Sequence, residues 1–281
     1  MDGCVASDLM LGNARKGWEA ELQLGFAPKN GKTLLAHRRH HGPLMVQKPF
    51  YPEGEVCHVY VLHPPGGVVS GDRLAIIINA EENSEALVTT PAAGKFYRSS
   101  GELAHQSILL KIAEGAGLEW LPQETIIYEG SRVNASLRIE LGIHSRFIGW
   151  DVTVLGRPAA NEGFTVGEAA LNIQMFCANL PFYLERTILD PLAFAAPWGM
   201  NGHAALGTLL AYPATTENLE TVREIIGDMP GRGVTKIGEL LICRGLDNRA
   251  DRLRSFFQMV WAHVRPSVMG RKACTPRIWA T

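Results

Sequence analysis

The chain has no long run of one charge, no closely spaced cysteine pair and no extended apolar segment. Its 281 residues carry 27 Lys and Arg against 28 Asp and Glu, a formal net charge of -1, with the basic residues spread along the chain. Nucleic-acid binding calls for a basic patch or stripe, so no nucleic-acid partner is expected. The five cysteines, Cys4, Cys57, Cys177, Cys243 and Cys274, are odd in number and far apart. With no C-x-x-C pair, neither a disulfide framework nor a structural zinc site is expected, and a reducing, cytoplasmic compartment fits best. No stretch approaches the ~18 consecutive apolar residues of a membrane span. The first residues carry no basic region followed by an apolar core, so no secretory signal is expected either. A G-x-S-x-G nucleophile elbow and an H-E-x-x-H zinc helix are also missing, which weighs against the common hydrolase chemistries.

Apolar residues make up 46% of the chain, ample for a folded core, and charged residues only 20%. The average globular protein is about 25% charged. The shortfall reads either as a larger core or as surface covered by a partner. Residues 1–20 lack a pattern and are expected to be loose. No polar linker divides residues 21–281, which read as a single domain. Short strand-like runs fill the chain to about residue 190: 59–62, 74–80, 86–90, 107–113, 124–128, 136–141, 147–155, 170–176 and 182–189. Gly, Pro, Asn and Ser clusters separate them, and no helical pattern intervenes, which predicts a mainly β body. No internal repeat stands out. The last third changes character. Leu219, Val222, Ile225 and Ile226 form a helical stripe over 216–226, with Thr216 as N-cap and Gly227 at its end. Glu239 to Cys243 reads as a returning strand. A second helix is predicted over about 248–264, with Leu253, Phe256, Phe257, Val260, Trp261 and Val264 on one face and Pro266 as its stop. That aromatic stripe reads first as core and second as a partner groove.

The densest set of backbone constraints is His63-Pro64-Pro65-Gly66-Gly67-Val68-Val69-Ser70-Gly71-Asp72. Gly66-x-x-x-x-Gly71 has the spacing of a phosphate-binding loop, but Asp72-Arg73 stands where Lys and Ser or Thr are needed. A carboxylate repels phosphate, so the turn is read as rigid support for an acidic group. Further carboxylates sit beside turns: Glu124, Asp151, Glu162 and Glu168. Oxygen ligands hold late divalent metals more loosely than imidazole or thiolate, which suits a metal in transit. Taken singly, each is more simply a turn residue or an ion-pair partner. Cys57 and His58 are adjacent, so in a strand they point to opposite faces and cannot chelate one ion together. His37-Arg38-Arg39-His40-His41 is the one local basic cluster and reads as a solvated loop.

His63 to Gly67 followed by Ser70 to Leu74 resembles the hallmark turn of the urease accessory proteins called UreD, or UreH in some bacteria. Further blocks resemble that family in order: Gly42-Pro43-Leu44, Gln47 to Gly54, Thr89 to Arg98, Trp120 to Thr125, Gly149-Trp150-Asp151, Leu155 to Ala159 with Glu162 and Phe164, Arg265-Pro266, and Pro276 to Thr281. The resemblance covers about residues 33–281. Ser70 and Asp151 depart mildly from it, standing where the family more often has Gly and Glu. It implies an irregular right-handed β-helix-like body of many short strands with a small C-terminal helical part. It also implies a non-enzymatic protein that binds UreF, recruits the GTPase UreG through UreF, and docks on apo-urease for nickel insertion. The expected assembly is a hetero-oligomer carrying nickel in transit, with no tightly bound cofactor. Asp72, Glu124, Asp151, Glu162 and Glu168 are then candidate nickel-path carboxylates. Phe256, Trp261, Arg277, Ile278 and Trp279 are candidate partner contacts. The competing reading is a metal-dependent hydrolase on a β-solenoid scaffold.

Overall fold

The computed structural model describes residues 17–280. The first two strands, β1 (Glu19–Lys29) and β2 (Lys32–His41), form an antiparallel hairpin. Its turn is Asn30-Gly31, both at positive φ, the backbone that a tight two-residue hairpin turn requires. The basic cluster 37–41 is therefore the end of a strand, not a loop. Most of the expected loose segment, residues 1–16, lies outside the described residues, while Glu19 and Ala20 already belong to β1. A two-residue strand, β3 (Met45–Val46), then leads to β4 (Cys57–Leu62), with which it pairs antiparallel.

From there the chain coils. Strand β4 is followed by β5 (Arg73–Ala80). The next coil is β6 (Glu85–Thr89), β7 (Gly94–Phe96) and β8 (Ala104–Ile112). After it come β9 (Gly117–Leu121), β10 (Thr125–Ile127) and β11 (Arg132–Leu141), then β12 (Arg146–Leu155) and β13 (Glu168–Cys177). Within one wall β4, β6, β9 and β12 pair in parallel; within the other, β5, β8, β11 and β13 do the same. The short strands β7 and β10 pair in parallel at the corner between the walls. The result is a β-solenoid of stacked coils. Coils begin at Cys57, Glu85, Gly117 and Arg146, a period of about 30 residues that the sequence hides. Each coil needs only apolar residues at its inward positions, so side-chain identity drifts between coils.

Antiparallel strands finish both walls. One wall gains β14 (Leu180–Leu189), giving seven strands in the order β14-β13-β11-β8-β5-β1-β2. After the short helix α1 (Pro191–Ala195), β15 (Ala205–Tyr212) joins β12. Helix α2 (Thr216–Ile226) follows, then β16 (Arg232–Ile237) and β17 (Leu240–Asp247), which extend the ten-stranded wall. Last comes α3 (Ala250–Met269). The N-cap of α2 is Thr215 rather than Thr216: its hydroxyl accepts the Asn218 N–H, and the Asn218 side chain accepts the Thr215 N–H. Helix α3 passes through Pro266 and ends at Gly270, which takes the left-handed backbone of a helix stop. Proline costs the helix one hydrogen bond, and the buried residues beyond it, Val268 and Met269, keep the turn in place.

The ten-stranded wall is buried on both faces. Its inner residues, such as Cys57, Val88, Trp120 and Phe147, join Leu22, Ile78 and Ile139 of the opposite wall in the solenoid core. Its outer residues, Trp150, Val152, Leu209 and Cys243 among them, pack under α2 and α3. The seven-stranded wall has one solvated face, and its strands alternate accordingly.

Helix α3 is fastened to the solenoid by one fully buried guanidinium. Arg265 Nε donates to both oxygens of Glu119 at 3.0 Å, and Nη2 reaches Glu119 Oε2 at 2.8 Å. Its Nη1 and Nη2 hold the two oxygens of Glu53 at 2.7 and 2.8 Å, and Nη1 also donates to the Lys272 carbonyl. Trp261 Nε1 donates to Glu119 at 2.6 Å, and His58 Nε2 lies 2.7 Å from Glu53 Oε1. Burial pushes the Glu53 carboxyl up, but the bonds to His58 and Arg265 outweigh it and hold it down to about 2.

Removing one side of a buried ion pair leaves the other charge uncompensated, at about 3–5 kcal/mol. Arg265→Ala should therefore lose about that much in urea unfolding, and Arg265→Lys should recover little, because one ammonium cannot replace the five-donor fork. A loss below about 1 kcal/mol would show that the cluster is not the fastening. The Glu53 pKa is lower folded than unfolded, so its contribution is present above pH 4.5 and lost as pH falls toward 2. Glu53→Gln should flatten that acid-side loss in unfolding curves taken across the same window.

Candidate functional site

The proline-glycine turn before β5 is built around its aspartate. Asp72 is buried, and its two carboxylate oxygens accept the backbone N–H groups of Trp18 at 2.8 Å and Val69 at 3.0 Å. Gly71 sits at φ +82, and a Cβ on Gly67 would stand 2.2 Å from the Tyr97 ring. Both glycines are therefore required by geometry. The turn lines a groove of about 690 Å³ together with Trp18, His63, Tyr97 and Glu102. Burial lowers the His63 pKa, and the nearby Asp72 charge partly offsets this.

The structure does not gather the five sequence-chosen carboxylates into one site. Glu124 binds Arg254 of α3 at 2.6 Å and so helps dock that helix. Glu162 pairs with Arg157 beside a short 3₁₀ turn, and Glu168 pairs with Arg132 at 2.6 Å; both pairs are on the surface. Asp72 is committed to its turn. Asp151 alone borders the interior. It lies on the inner face of β12 and lines a cavity of about 110 Å³ between the two walls, with Gln106, Thr125, Thr153 and Asn172 around it. Among the described residues, no group of three or more His, Cys, Asp and Glu side chains is placed to hold a metal ion.

Asp151 is electrostatically unusual. Burial raises its pKa, the neighbouring Glu185 charge raises it further, and the Val152 backbone N–H offsets part of this, leaving it at about 6. Glu185 is the residue that sequence reasoning passed over. It lies on the inner side of β14, takes a hydrogen bond from the Tyr183 hydroxyl, and pairs with Arg244 at 2.7 Å. Arg244 also donates to Tyr183 at 2.8 Å. The alternation Tyr183, Glu185, Thr187, Leu189 was the signal available: three polar groups on the face that ends in buried Leu189. Burial and the Glu185 bond push the Tyr183 hydroxyl up to about 12. Cys57 and His58 point to opposite faces of β4 as expected, Cys57 into the core and His58 toward Glu53.

The proposed partner contacts need correction. Phe256 and Trp261 are 3% and 1% exposed and belong to the core beneath α3, so they cannot face a partner here. Trp279, in the terminal 3₁₀ turn Arg277–Ala280, packs against Trp150 and Trp261 and donates from Nε1 to Thr89 at 2.9 Å. Arg277 is exposed, and Ile278 is half-buried. The amphipathic stripe was real, but its partner is the chain's own ten-stranded wall.

Two outcomes follow from these placements. Asp151 has a higher pKa folded than unfolded, so it penalises the fold above about pH 6 and ceases to do so below 3.8. Asp151→Asn should thus be more stable than the parent at pH 7, by on the order of 3 kcal/mol, with the gap closing between about pH 6 and 3.8. Equal stability at both ends would refute the desolvated carboxylate. Trp279→Ala should lower stability by about 2–4 kcal/mol and lower the thermal midpoint. An unchanged midpoint would return the tail to the partner surface.

The family model described as UreD urease accessory protein matches residues 19–280. A protein of Alkalilimnicola ehrlichii named urease accessory protein UreD is 42% identical over 271 residues, covering 94% of this chain and 92% of that protein. Its namesake from Dechloromonas aromatica is 44% identical over 274 residues, with 94% and 95% covered. The one from a Nostoc species is 40% identical over 271 residues, with 95% and 97% covered. The match runs through the solenoid and the helical layer alike, and the chain belongs to the UreD family of urease accessory proteins.

Proposed function

We propose that this chain is a non-enzymatic scaffold for urease maturation that lets nickel pass through its interior. In this reading it binds UreF, recruits the GTPase UreG through UreF, and docks on apo-urease in the cytoplasm as part of a hetero-oligomer. The observation that carries the nickel role is the cavity edged by Asp151. A carboxylate in a desolvated position beside a second anion lacks a cation, and a divalent metal entering the cavity supplies one. One carboxylate among amide and hydroxyl oxygens is a weak ligand set for nickel, suited to release rather than storage. Glu185 belongs to the same polar region, already neutralised by Arg244. Asp72, Glu124, Glu162 and Glu168 enter the reading only as ligands reached by opening an existing turn or ion pair, so Asp151 leads.

The chain is tested by co-expression with UreF, UreG and apo-urease, reading nickel-dependent urea hydrolysis. Activity should require the chain. Asp151→Ala should lose most of that activation while still co-purifying with UreF, and Glu162→Gln should retain it. Full activation by Asp151→Ala would remove the cavity from the nickel route. Full activation without the chain, with no UreF co-purification, would reject the scaffold reading and return the hydrolase alternative.

A further inference from the structure

The two edges of the seven-stranded wall are treated differently. An edge strand offers unpaired N–H and C=O groups to any passing chain, and charge along the strand is a common defence. Strand β2 has that defence: His37, Arg38, Arg39, His40 and His41 are all exposed. At the other edge of the same wall, β14 runs for 10 residues, and its exposed row carries apolar residues with a single charge among them. Leu184 is 62% exposed and Ile188 46%, and Leu192 in α1, just after the strand, is 67% exposed. Between Leu184 and Ile188 stands Arg186, exposed and without a carboxylate partner among the described residues. From behind, the strand is held firmly: Tyr183 and Leu189 are buried, and Arg244 grips Tyr183 and Glu185. A rigid edge of this kind, with one charge against the five-residue basic run of β2, is a template for strand addition.

We propose that β14 is a docking edge for an extended segment of a partner protein. The segment adds as the next antiparallel strand and sets an acidic residue, flanked by apolar residues, against Leu184, Arg186 and Ile188. Side chains directly opposite one another decide such pairings, and like charges there are unfavourable. That rule disfavours the registers of a second copy of this chain that centre on Arg186 or on Glu185. A two-fold pairing that sets Leu184 against Ile188 also sets Arg186 against Arg186, and one centred on Glu185 opposes two carboxylates. A pairing centred on Leu184 runs into Pro181 and the register slip opposite Met175 and Phe176.

The probe is a cyclic β-hairpin peptide whose free edge reads Val-Glu-Val, with a Val-Lys-Val counterpart; cyclisation lowers the ordering cost of binding. Binding to the full chain is read by fluorescence anisotropy in the absence of nickel, so the outcome is separate from that of the nickel-route reading. The glutamate hairpin should bind roughly tenfold tighter than the lysine one, and Arg186→Glu should invert the preference. The double variant Leu184→Lys, Ile188→Lys should bind neither while keeping the parent's thermal transition, since both side chains are exposed. Equal binding of the two hairpins, no binding of either, or indifference to Arg186→Glu would overturn the proposal. So would a homodimer in sedimentation that the double variant abolishes.

Discussion

The layered architecture depends on one buried guanidinium. Arg265 comes from the last helix, Glu119 from a central coil, and Glu53 from the loop before the first coil, so one side chain joins three parts of the chain that are distant in sequence. Two carboxylates in an apolar seam are intolerable without it, and it is equally intolerable without them. The cluster thus fixes where α3 lies on the ten-stranded wall. Once α3 is seated, Trp150, Trp261 and Trp279 pack together over the same seam. An apolar seam alone would hold the helix but would not set its register so narrowly.

Because α3 covers the outer face of that wall, its inner face is free to be partly polar. Asp151, Thr153 and Thr208 point inward from strands whose outward neighbours are wholly apolar. A strand with Trp150 and Val152 on one side and Asp151 and Thr153 on the other is stable only if the apolar side is sealed. The helical layer supplies the seal, and the cavity beside Asp151 is what the polar side leaves open. The helical layer thus permits a polar patch on an otherwise apolar inner face.

Much of the body was readable in the sequence. The runs around β4, β5, β6, β8 and β10 to β14 stand out because alternation or continuous apolar stretches are local properties. The coil period was not readable, since corresponding coil residues share only an apolar inward position. Strand β16 was missed because it alternates exposed and half-buried residues and so lacks an apolar face. Pro266 misled in a physical way: proline signals a helix stop, but here long-range contacts of Arg265 and Val268 override it. The site was less legible than the fold. Residue type alone could not rank Asp151 above Glu124, Glu162 or Glu168. Rank depends on which carboxylate lacks a cation, and Arg254, Arg157 and Arg132 reach theirs only through tertiary structure. Glu185 stayed hidden for the converse reason, since its partner Arg244 is on a strand from the other wall.

The proposal that nickel passes beside Asp151 can be tested on the protein alone. The most direct measurement is anomalous scattering at the nickel edge from crystals of the full chain soaked in nickel. Nickel density is expected in the inter-wall cavity within coordination distance of the Asp151 carboxylate, and should be lost in Asp151→Asn. Nickel found only at surface histidines such as His37 or His41, with the cavity empty, would contradict it.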